Sequence, residues 1–130
     1  FILSMRTRVR GRKLEMEQIE RLDAVGRQCH SLLNAGGKLL TLSGSEQALA
    51  VISEGNRVVH NLPPWPEELF PRGLLRVGNK IIVGAGIAKD VRSQRHGSDT
   101  VLAIFCLDKQ RFVGIQKLGE FGNTCAMLEI

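Results

Sequence analysis

The sequence predicts an all-β protein made of β-propeller blades. Three observations carry that expectation: an ungapped internal repeat, turn dipeptides at equivalent places in both copies, and a period near 42 residues holding four short strands. The first copy is Ser31-Leu32-Leu33-Asn34-Ala35-Gly36-Gly37-Lys38-Leu39-Leu40-Thr41-Leu42-Ser43-Gly44. The second is Gly73-Leu74-Leu75-Arg76-Val77-Gly78-Asn79-Lys80-Ile81-Ile82-Val83-Gly84-Ala85-Gly86, fourteen positions matched at an offset of 42. Each reads as strand, tight turn, strand. Gly36-Gly37 and Gly78-Asn79 are dipeptides that tolerate the positive φ of a two-residue hairpin turn.

The likeness resumes further on. Ala48-Leu49-Ala50-Val51-Ile52 matches Val101-Leu102-Ala103-Ile104-Phe105, the polar turns Glu54-Gly55-Asn56 and Asp108-Lys109-Gln110 follow, and Val58-Val59 matches Phe112-Val113. Each unit is therefore a four-stranded meander, and the second carries about eleven extra residues between its second and third strands. Such a meander has two apolar faces and buries neither alone. Stacking units around an axis covers both and leaves only short edges.

In chain order, residues 1–28 are expected to end one blade, with outer strands at 1–6 and 13–22. A helix over 13–25 competes, because Met16, Ile19 and Leu22 fall at helical spacing. The strand reading is preferred for its place just before Cys29-His30-Ser31, as residues 58–62 stand before Pro71-Arg72-Gly73. Residues 29–70 form a blade. Residues 71–122 form a blade with an inserted loop at 87–99, and 123–130 begin another. All four prolines fall between 63 and 71, a connector in which proline costs no ladder hydrogen bond. Trp65 and Phe70 are expected to plug the gap between blades; a polyproline ligand for a partner is the competing reading.

Composition is that of a soluble globular chain, 43% hydrophobic and 24% charged, and no apolar run is long enough to span a membrane. The apolar start Phe1-Ile2-Leu3 precedes the basic residues, the reverse of a secretory signal. A first residue Phe1 rather than Met, and about three blades where closed propellers have at least four, lead to the expectation of a fragment. Cys29, Cys106 and Cys125 are widely spaced, which suggests reduced thiols and a cytoplasmic compartment. The net charge of +5 resides in Arg6, Arg8, Arg10, Arg12 and Lys13; the remaining 117 residues carry 13 basic and 13 acidic groups. The alternating arginines would share one strand face, either a basic ridge or a solvated edge that deters pairing. Without stacking aromatics nearby, nucleic acid is not an expected partner.

The run Cys29-His30-Ser31-Leu32-Leu33, the connector end Phe70-Pro71-Arg72-Gly73-Leu74 and Ile82-Val83-Gly84 together resemble an uncharacterised bacterial β-propeller family. That family is distantly similar to the NHL and strictosidine-synthase-like propellers. The resemblance runs from about Lys13 onward and implies a closed propeller in the whole protein, with no activity attached. Holding only about three blades, this chain departs from it.

His30 and Arg72 occupy equivalent positions 42 residues apart, just before the innermost strands. There a side chain would face the mouth of a propeller's central channel. The bland alternative is a hydrogen-bonded inter-blade loop. The inserted loop offers Lys89, Arg92, Arg95 and His96 to a phosphate or carboxylate, against the alternative of a solvated loop. Gly84-Ala85-Gly86 after an apolar run hints at a dinucleotide turn. Yet Lys89 stands where the third small residue belongs, and residues 90–99 hold one apolar residue and cannot make the following helix. No cofactor or metal is expected, since His30, His60 and His96 are scattered and no catalytic motif occurs. The expected function is a ligand-binding or protein-interaction module with its site at the channel mouth, for a small anionic ligand or a protein. The alternative is a propeller lyase or hydrolase using the same mouth, with His30 as general base. Two uncovered apolar faces would make the isolated chain self-associate.

Overall fold

The strand periodicity is realised along the chain in ten strands and no helix among the described residues. A computed structural model describes the backbone of residues 2–22, 28–88 and 97–121, with side chains in the first hairpin from 8 to 13. Among the described residues there is no helix long and apolar enough to cross a membrane.

β1 (Ile2–Arg10) and β2 (Lys13–Leu22) form an antiparallel hairpin. The helical spacing in β2 is overridden because its backbone groups pair with β1 from Lys13 to Leu22. Intrinsic propensity is a weak preference beside a continuous ladder. Gly11, at φ +60°, and Arg12 make the turn. The arginine row is thereby corrected: Arg8 and Arg10 share a strand face, whereas Arg12 has left the strand.

Two four-stranded meanders follow. The first runs β3 (Cys29–Ala35), β4 (Lys38–Ser43), β5 (Ala48–Ser53) and β6 (Asn56–Asn61), in that spatial order. The second runs β7 (Leu69–Val77), β8 (Lys80–Ile87), β9 (Thr100–Cys106) and β10 (Arg111–Gly119). Consecutive pairing comes from short turns. Gly36 and Gly37 both have positive φ, as do Glu54 and Gly55, the twist that matches right-handed strands in a two-residue turn. β7 starts earlier than expected, so Pro71 sits inside a strand opposite Ala85. It is tolerated because β7 is an edge strand with one side unpaired.

The sheets pack face to face, and the packing is head to tail. Leu40, Leu42, Leu49 and Val51 form one face of the first sheet. They meet Ile81, Val83, Ala103 and Phe105 of the second in one buried cluster. By the repeat, the counterparts of Leu40, Leu42, Leu49 and Val51 are Ile82, Gly84, Leu102 and Ile104, on the opposite face of the second sheet. So the front of one unit packs on the back of the next. A two-fold sandwich would instead join like faces. A second cluster of Leu69, Ala85, Ile87 and Val101 is covered by Leu62 and Trp65 of the connector. Each large side chain buried in these clusters contributes about 1.5–3 kcal/mol. The two sheets do not close on themselves.

Candidate functional site

The expected site residues His30 and Arg72 lie at two β-bulges, one in each unit and at the same point of the repeat. The β3–β4 register shifts between His30 and Leu32, and the β7–β8 register shifts between Pro71 and Gly73. His30 and Ser31 thus stand opposite Leu42, and Arg72 and Gly73 opposite its counterpart Gly84. A bulge bends its strand and re-aims the side chains beside it. Ser31 holds the bulge with a left-handed backbone, φ +57°.

The two bulges are joined. The Ser31 hydroxyl donates to the Arg72 carbonyl at 2.5 Å, and the Thr41 hydroxyl donates to the Ser31 carbonyl at 2.9 Å. These bonds satisfy backbone oxygens that the bulges remove from the ladder. Between the bulges lies the Phe70 ring. His30 meets it edge-on with centroids 5.3 Å apart, and the Arg72 guanidinium lies over it at 4.9 Å. Gly44 makes room, since a Cβ there would come within 2.8 Å of the ring and 3.2 Å of the Gln28 carbonyl.

The electrostatics of this cluster are cationic. Burial, and then the neighbouring Arg72 charge, hold the His30 imidazole below its ordinary value, so it is neutral near pH 7. The Arg72 Nε is buried without a hydrogen-bond partner, and no carboxylate among the described residues pairs with its guanidinium. Stacking on the ring satisfies one face of the guanidinium and leaves its in-plane donors for an acceptor. Neutral His30 can donate from one nitrogen and accept at the other.

The remaining expectations divide. Lys89, Arg92, Arg95 and His96 lie outside the described residues, as do 123–130. Gly84 pairs within β8 with Gly73 and Leu102, and Gly86 with Phe70 and Thr100. The two glycines are therefore internal to a strand paired on both sides, which is no phosphate-binding turn. His60 is remote from His30 in role, its ring 4.7 Å from that of Phe105 at the sheet–sheet contact. Phe70, Ser31 and Gly44 complete the site beyond the residues that the sequence indicates. Of these only Phe70 carried a signal, an aromatic beside Pro71-Arg72. Bulges have no dependable sequence mark.

No family model, curated protein or solved structure matches this chain.

Proposed function

We propose that the two meanders are successive blades of a β-propeller and that the scaffold is a binding module. Its ligand is a small anion, a carboxylate or phosphate, held at the inner-strand junction by Arg72 and His30. The head-to-tail packing supports the scaffold reading, because such an interface repeats around an axis. One observation carries the ligand: a guanidinium fixed over Phe70 at 4.9 Å, its buried Nε unpartnered, with no carboxylate neighbour among the described residues. A buried donor left without an acceptor costs about 1–3 kcal/mol. An arriving anion would offset that cost and accept charge-assisted bonds.

The test follows the His30 imidazole by NMR while inorganic phosphate or acetate is added. Its resonances shift saturably and its pKa rises, because a nearby anion favours the imidazolium. Arg72→Ala abolishes the response, and Arg72→Lys does not restore it, since an ammonium lacks the flat face and forked donors. A His30 signal indifferent to both anions would refute the reading.

An enzyme using the same junction is favoured by a single observation, that His30 is kept neutral and able to accept a proton. The two readings separate on His30→Ala. A binding role costs the value of one hydrogen bond, about 0.5–1.5 kcal/mol of affinity. A general base costs roughly 10²–10⁴-fold in rate with affinity retained. Binding is preferred, because no carboxylate among the described residues orients the imidazole.

A further inference from the structure

The connector between the two sheets folds into a cleft of its own, of about 260 Å³, whose lining residues include none of His30, Phe70 and Arg72. Its walls include Gln47, Pro63, Pro64, Trp65, Glu67 and Glu68. They are built to stay in place. The prolines restrict the backbone. The Leu62 amide donates to the Gln47 carbonyl at 2.9 Å, and the Ala88 amide donates to the Glu68 carbonyl at 2.7 Å. Trp65 packs against the Leu69, Ala85, Ile87 and Val101 cluster while remaining partly exposed.

The chemistry of this cleft is opposite to that of the chain. The chain carries a net charge of +5, yet the residues lining the cleft contribute Glu67 and Glu68 and no cation. Lys117 feels the Glu67 carboxylate, but its ammonium is held by Asp99 at 2.6 Å with Glu120 at 3.9 Å. The Gln47 side-chain amide donates to Glu68 Oε1 at 3.1 Å, which steadies that carboxylate and leaves its second oxygen available. An indole wall beside two carboxylates suits a flat cation. A guanidinium can stack on the ring while its edge donates to the carboxylates.

We propose that this cleft binds an alkylguanidinium cation, stacked on Trp65 and paired with Glu67 and Glu68. This site is independent of the anion site, and either can fail without the other.

Trp65 is the sole tryptophan of the chain, so its emission reports on the cleft directly. The full chain is titrated with N-acetylarginine amide, and with N-acetylcitrulline amide as the uncharged isostere. The arginine derivative is expected to change Trp65 emission saturably and the citrulline derivative is not. The double variant Glu67→Gln, Glu68→Gln should weaken the arginine response at least about tenfold, the loss expected from about 1.4 kcal/mol. Both glutamates are exposed, so the variant keeps its fold, as an unchanged circular dichroism melt would verify. If tetramethylammonium, which has no N–H donors, binds equally well, the hydrogen-bonded guanidinium arrangement is wrong. Absence of saturation, an equal response to citrulline, or undiminished binding in the double variant would each overturn the proposal.

Discussion

His60 lies with its ring 4.7 Å from that of Phe105, and its Nε2 is buried without a partner. Burial holds its imidazole below the ordinary value of 6.5. His30 is displaced in the same direction, by burial first and by Arg72 second. In both cases the unfolded chain binds a proton more readily than the folded one. Stability is therefore complete above the unfolded value of 6.5, falls as pH drops below it, and levels off beneath the folded values. Thermal melts taken downward through that window should show the loss. His60→Phe should flatten the slope, because it keeps a ring against Phe105 and removes one titrating group. The shallower residual slope belongs to His30. Equal slopes in wild type and variant would mean that His60 titrates alike in both states.

Gly44 follows the last residue of β4 and shows how an element end governs the site. Its amide donates to the Gln28 carbonyl at 3.2 Å, and its carbonyl accepts from the Gln47 amide at 3.2 Å. The φ angle there is not in the left-handed region, so backbone strain is not the reason for glycine. The reason is the Phe70 ring, 2.8 Å from where a Cβ would stand. Gly44→Ala should push that ring away from its place between His30 and Arg72, or shift the end of β4. Overpacking of this kind costs about 1–3 kcal/mol. The anion response of His30 should weaken with it, read by the same NMR titration. A fully stable variant with an unchanged response would show that the ring has room to move aside. At this scale the strands were legible, because the repeat aligns apolar runs strand to strand and turn dipeptides such as Gly36-Gly37 and Gly78-Asn79 dictate hairpins locally. The bulges were not, since they answer to the neighbouring sheet: the Ser31 hydroxyl is satisfied by Arg72, 41 residues away.

The head-to-tail interface makes a paired prediction for the whole molecule. Leu49 and Leu102 are counterparts in the repeat, each at the second position of its matched run. Leu49 is fully buried between the sheets, while Leu102 is only partly buried on the opposite face of the second sheet. Leu49→Glu should therefore unfold the chain, since it places an unpaired charge in the core of a fold whose whole stability is about 5–15 kcal/mol. Leu102→Glu should leave the fold intact and reduce association, because the face of Ile82, Leu102 and Ile104 then carries a charge. Sedimentation and thermal melts on both variants decide it. Equal destabilisation would mean that the second front face is as enclosed as the first.

The sequence by itself determined that this chain is all-β, that its units are four-stranded meanders, and where their turns fall. These features depend on neighbours in the chain: short apolar runs, positive φ at Gly36 and Gly37, and a repeat that matches strand to strand. It also marked His30 and Arg72 as equivalent positions, though without Phe70 between them. Only the tertiary structure decided which face of each sheet is covered, and by what. Leu40 and Ile82 are alike in sequence, yet one is buried and the other partly exposed. Burial depends on the next unit in space. It likewise took the packing of β3 beside β7 to bring the two bulges onto one aromatic ring. Contacts between residues some forty positions apart follow from how two sheets dock, and local spacing carries no record of that.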